Sequence, residues 1–154
     1  MMRSFSKVMV LCGLCLALVI SGGCAGSRGQ MFSFVNDKFP ADQAATLAEG
    51  MAGSLSEIFP PGHTTIFIQP TAKADNLSVS FDQALRSRGF IIAPEPSDQA
   101  LAVVYTLDQV DDHTWYTRIA VSGGLVITRA YDLSGSQLTE GAATMRAGGD
   151  NGQR

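Results

Sequence analysis

The chain has 154 residues, a formal net charge of −3, 45% hydrophobic residues and 16% charged ones. That length supports one domain with a single hydrophobic core. No run of basic residues occurs, which excludes nucleic-acid binding through phosphate neutralisation and attachment to anionic lipid through a polybasic segment.

The first predicted element is a secretory signal over residues 1–23. Arg3 and Lys7 give a basic start, Val8 to Ile20 is a run of apolar or small residues, and Ser21-Gly22-Gly23 precedes Cys24. The run is shorter than the ~20 apolar residues that a spanning helix needs. Small residues directly before a cysteine resemble the lipobox of bacterial lipoproteins, in which that cysteine is lipidated and becomes the new N-terminus. Cys24 is thus the candidate lipidation site, with palmitate among the expected acyl groups. The competing reading is ordinary cleavage, with Cys24 an incidental thiol. Cleavage before Cys24 leaves 131 residues, nine basic and fourteen acidic, for a formal charge of −5. Cys12 and Cys15 have CxxC spacing but lie inside the discarded signal, so they suggest neither a redox site nor a metal site. With Cys24 alone remaining, the mature fold has no internal disulfide and rests on packing.

Residues 24–39 are expected to form a lipidated tether and linker. Ala25 to Gln30 is small and polar, and the aromatic stretch from Met31 to Phe39 reads as a short strand or a docking segment. The folded domain is expected over 40–146. Ala44, Leu47, Met51, Leu55 and Ile58 recur at helical steps and predict a helix over 41–59, stopped by Pro60-Pro61-Gly62. Gly50 and Gly53 inside it each cost about 1 kcal/mol relative to alanine, a cost that close packing against a sheet would offset. Thr64 to Gln69 predicts a strand. Asp75 or Asn76 opens a second helix, whose inner face carries Leu77, Phe81, Ala84 and Leu85 and whose C-terminal cap is Gly89. Phe90 to Ala93 is the next strand, so 64–93 reads strand–helix–strand, a crossover that favours parallel neighbours.

The remainder reads as an antiparallel meander. Leu101 to Val110 is apolar on both faces and predicted central. Trp115 to Val121 alternates, with Trp115, Thr117, Ile119 and Val121 on one side and Tyr116, Arg118 and Ala120 on the other. Leu125 to Tyr131 and a weaker strand over 138–145 follow, and 147–154 is expected to be a disordered tail. The expected class is α+β: two helices on a mixed, mostly antiparallel sheet of about five to six strands with a C-terminal meander.

Few residues suggest chemistry. His63 and His113 sit in predicted turns without metal-ligand spacing, and Asp108, Asp111, Asp112 and His113 read as a solvated hairpin tip rather than a cation loop. No GxSxG elbow or phosphate-binding glycine loop occurs. Catalytic residues, cofactors, metals and small-molecule substrates are therefore not expected, and the chain is read as a non-enzyme. The candidate contact residues for another protein are Trp115, Tyr116 and Arg118, an aromatic pair beside a cation on one strand. An open sheet edge is the other candidate contact.

Val104 to Gln109, Trp115 to Ile119 and Ile127 to Tyr131 (VYTLDQ, WYTRI, ITRAY), preceded by Phe59 to Thr64 (FPPGHT), Gln69 to Thr71 (QPT) and Leu85 to Phe90 (LRSRGF), resemble the TrbH family. These are lipoproteins encoded among the mating-pair-formation proteins of conjugative plasmids. The resemblance implies a lipid-anchored component of a conjugative type IV secretion apparatus, with other channel subunits as partners and no reaction of its own. It implies a periplasmic domain held at the cell envelope, and Ala25 after the cysteine favours the outer membrane. The rival expectation is an auxiliary periplasmic lipoprotein of an envelope transporter or cell-wall synthase.

Overall fold

The computed structural model describes residues 32–147. The expected signal segment, Cys12, Cys15, Cys24, the tether up to Gln30 and the tail beyond Ala147 lie outside the described residues. In chain order the elements are β1 (Phe34–Val35), a 3-10 turn (Ala41–Gln43), α1 (Ala44–Ser56), a second 3-10 turn (Pro61–His63), β2 (Thr65–Ile68), α2 (Asn76–Ser87) and β3 (Ile91–Ile92). The meander then runs β4 (Leu101–Gln109), β5 (Thr114–Val121), β6 (Leu125–Ser134) and β7 (Gln137–Ala147). The class is α+β, as the sequence predicts.

Local chemistry accounts for both helices. Pro40 is extended and leads through the 3-10 turn into α1, and Pro60 and Pro61 follow its end. One stripe of α1 is buried: Ala44, Leu47, Ala48, Met51, Ala52 and Leu55. The Asp75 carboxylate accepts the Ser78 backbone N–H at 2.7 Å and caps α2. Gly89 follows α2 at φ +92, the left-handed conformation that closes a helix without a Cβ penalty. Leu77, Phe81, Ala84 and Leu85 face inward from α2, while Arg86 pairs with Asp82 one turn back on its outer side.

The sheet order is β3-β2-β4-β5-β6-β7, and β1 also pairs with β4. Strands β1 to β4 are mutually parallel where they meet, and β4 to β7 are antiparallel. β4 is therefore central. The first half of its upstream edge pairs with β2 through Ile66, Phe67 and Ile68, and its second half pairs with β1 through Phe34 and Val35. The α2 crossover joins β2 to β3 as parallel neighbours, which is the topology expected for a strand–helix–strand unit.

Two boundaries differ from expectation. The fold begins before residue 40: Ser33 donates to Pro70, β1 joins β4, and Phe39 meets Trp115 edge to face at 5.0 Å. The last strand is the longest, at 11 residues, and includes Ala147, which pairs with Leu125 and so belongs to the sheet rather than to a tail. The sheet counts seven strands when the two-residue β1 and β3 are both included.

The core lies between the helices and one face of the sheet. From the sheet it takes Val103, Tyr105 and Leu107 of β4, the alternate residues Trp115 to Val121 of β5, and Ile127 and Tyr131 of β6. Each large side chain buried there contributes about 1.5–3 kcal/mol. The opposite face of the sheet has neither helix on it.

Candidate functional site

Strand alternation makes two different surfaces. On the inner side, β5 presents Trp115, Thr117, Ile119 and Val121, all buried. On the outer side it presents Tyr116, Arg118 and Ala120, all half-buried. The three candidate contact residues are thus divided. Trp115 is 1% exposed, packs on Phe39 and lies in the core. This corrects its expected place at a contact surface: strand alternation turns Tyr116 outward only by turning its neighbour Trp115 inward. Tyr116 and Arg118 remain together on the outer face.

Cross-strand register extends that face. Arg118 stands opposite Thr106 and Thr128, and Tyr116 opposite Asp108 and Ala130. Val104, Ala120 and Val126 form the neighbouring row. Phe34 lies beside Thr106 and is 50% exposed; Ile91 at the far edge is 55% exposed. The result is a broad surface of small, β-branched and aromatic side chains around one arginine. Hydrophobic side chains exposed together in this way mark contact surfaces.

The inner side carries a polar cleft of about 460 Å³ between α1 and the β6–β7 hairpin, lined by residues including Glu49, Gly50, Arg88, Arg129 and Glu140. Two ion pairs lie in it: Arg88 pairs with Glu49 at 3.1 Å, and Arg129 pairs with Glu140. The Arg129 side chain is only 14% exposed. A β-bulge makes this pairing possible. Between the pairs Arg129–Ala143 and Tyr131–Glu140, β7 advances three residues while β6 advances two. The extra residue turns Glu140 to the inner face. Gly141 is required there, since a Cβ would lie 2.9 Å from the Ala130 carbonyl oxygen. Gly50 admits the same carboxylate from the helix side: a Cβ would lie 2.1 Å from Glu140 Oε1. Close packing against the sheet is therefore the reason for a glycine at position 50. Sequence reading missed the Arg129–Glu140 pair because a bulge shifts the alternation that would reveal it. The one available signal was the Gly141-Ala142-Ala143 run.

Three aromatic groups in the core have no hydrogen-bond partner among the described residues: the hydroxyls of Tyr105 and Tyr131 and the Trp115 indole N–H. Burial, reinforced by the negative charge of Glu140, pushes the Tyr131 hydroxyl up to about 12. Burial and the charge of Asp75 raise Tyr105 in the same way.

The two histidines remain apart. His63 ends a 3-10 turn, and His113 lies at the β4–β5 hairpin tip. At that tip the Asp111 carboxylate accepts the backbone N–H groups of His113 at 3.0 Å and Thr114 at 2.8 Å. Those bonds hold Asp111 below the usual carboxylate range and commit it to the turn. Among the described residues no group of three or more His, Cys, Asp or Glu side chains is placed to hold a metal ion. No helix among them is long and apolar enough to cross a membrane.

The family model of conjugal transfer protein TrbH matches residues 26–148, which takes in the whole described fold. The chain belongs to the TrbH family. Membership makes it a component of conjugal transfer and accords with association with the cell envelope and with other conjugation subunits. No curated protein and no solved structure matches it.

Proposed function

We propose that this TrbH family protein is a lipid-anchored, non-enzymatic structural component of a conjugative type IV secretion apparatus, and that plasmid transfer needs it for its protein contacts. The match to the conjugal transfer family over residues 26–148 carries this reading. The anchor rests on the sequence ahead of that region: a basic start, an apolar run, and Gly22-Gly23 before Cys24. Each buried CH₂ contributes about 0.8 kcal/mol, so two or more acyl chains on one cysteine give stable attachment. The folded domain then stands in the periplasm, tethered to the outer membrane by the short polar stretch after Cys24. Its outer sheet face, through Tyr116 and Arg118, carries the contact with the assembly.

The test is complementation of a plasmid that lacks this gene. The parent chain restores transfer; Cys24→Ser leaves the protein unprocessed or soluble and lowers transfer frequency by at least tenfold. Full transfer by a Cys24→Ser protein found entirely in the soluble fraction would refute the anchored role.

A further inference from the structure

The outer sheet face carries a charge pattern of its own. Four rows run across the strands. The first is Val104, Ala120, Val126 and Arg146; the second is Thr106, Arg118, Thr128 and Thr144. The third holds Asp108, Tyr116 and Ala130; the fourth holds Thr114, Asp132 and Thr139. Both cations thus lie in the first two rows and both anions in the last two. None of the four forms an ion pair among the described residues. Asp108 instead accepts from the Asn36 amide at 2.7 Å, and Asp132 from the Ser134 hydroxyl at 2.5 Å. The rest of these rows is Val104, Ala120, Val126, Tyr116, Ala130 and threonines, with Phe34 exposed at the side.

We propose that two copies of the chain meet sheet on sheet through this face, about a twofold axis that crosses the strands between the Arg118 row and the Asp108 row. That axis exchanges the first row with the fourth and the second with the third. Arg118 then lies over Tyr116 of the second copy, one strand from Asp108 of that copy. Arg146 lies over Thr139 of the second copy, one strand from its Asp132. Neighbouring strands are about 4.8 Å apart and packed sheets about 10 Å apart, within reach of an arginine side chain. Twofold symmetry makes each pair occur twice. The charge pattern is therefore self-complementary, and the row Val104, Ala120 and Val126 is covered by the row Thr114, Asp132 and Thr139 of the second copy. This deepens the contact reading above by identifying the occupant of the face as a second copy.

The test uses two differently tagged full-length chains, co-expressed with their own leaders and extracted in excess detergent. Parent chains co-purify. Arg118→Asp with itself sets Asp against Asp at both contacts, and Asp108→Arg with itself sets Arg against Arg; like charges facing each other weaken association by about a hundredfold, and neither variant co-purifies with its own kind. Mixed together, the two single variants form opposite-charge pairs at both contacts, and co-purification returns. Parent chains that remain monomeric, or a parent dimer indifferent to these substitutions, would overturn the proposal. If the parent is monomeric while Arg118→Asp still lowers plasmid transfer, the face serves a different protein, and the conjugation role stands without the dimer.

Discussion

Gly50 and Gly53 lie one turn apart on α1, and the same substitution has opposite effects at the two. Alanine gains about 1 kcal/mol over glycine inside a helix. At Gly53 the new methyl meets the Arg88 guanidinium no closer than 3.6 Å, ordinary contact, so Gly53→Ala keeps that gain. At Gly50 it would displace the Glu140 carboxylate and leave the largely buried Arg129 guanidinium without its partner. Because Glu140 is 44% exposed, that loss is discounted, and Gly50→Ala has a net cost of about 1–2 kcal/mol. Urea denaturation of both variants measures the two signs directly. Tyr131 supplies a pH signature. Its hydroxyl titrates near 12 in the folded chain and near 10 in the unfolded one. The folded state holds that proton longer, so stability is complete below pH 10 and falls as pH rises through 12, by about 2 kcal/mol. In Tyr131→Phe, which loses a hydroxyl that has no partner, the same alkaline range has a shallower slope in thermal melts.

Helix α2 depends on its N-cap residue more than its composition suggests. The Asp75 carboxylate takes both the Ser78 N–H and the Thr71 hydroxyl, each at 2.7 Å, which ties the helix start to the preceding loop. Asp75→Ala should cost about 1 kcal/mol, while Asp75→Asn or Asp75→Ser keeps most of the cap; thermal melts of the three rank them. Elements whose pattern matches their burial were legible in the sequence. The three- and four-residue steps of α1 state which side faces the core, Asp75 and Gly89 state where α2 starts and stops, and the strict alternation of β5 divides its residues between two faces. What escaped were features that depend on pairing across distance. Nothing in Phe34-Val35 signals that it completes the edge of β4, and two-residue strands have no period to detect. The length of β7 is likewise set by its partner: Leu125 to Ser134 supplies pairing out to Ala147, although β7 itself is rich in small residues of low strand preference.

At the scale of the folded domain, the described residues form a sheet with helices on one face. Two helices close the inner face of the sheet, and the outer face remains a flat display of alanine, valine and threonine with charges at opposite ends. Sequence alternation revealed that Trp115 and Tyr116 part company, but not which of them points outward; that was decided by the side on which α1 and α2 pack. Family membership makes the chain a component of conjugal transfer, and the lipid proposed on Cys24 would hold it at the membrane. Cys24→Ser alters no residue of the described core, which is built from Ala44 to Tyr131; circular dichroism of Cys24→Ser is expected to match the parent while transfer falls. The decisive measurement is the intact mass of the native protein extracted from envelopes of conjugating cells. A chain that starts at Cys24 and carries the added mass of its acyl chains is the expected result. A chain that starts at any other residue, or a Cys24 that bears no fatty acid, would contradict the anchored role.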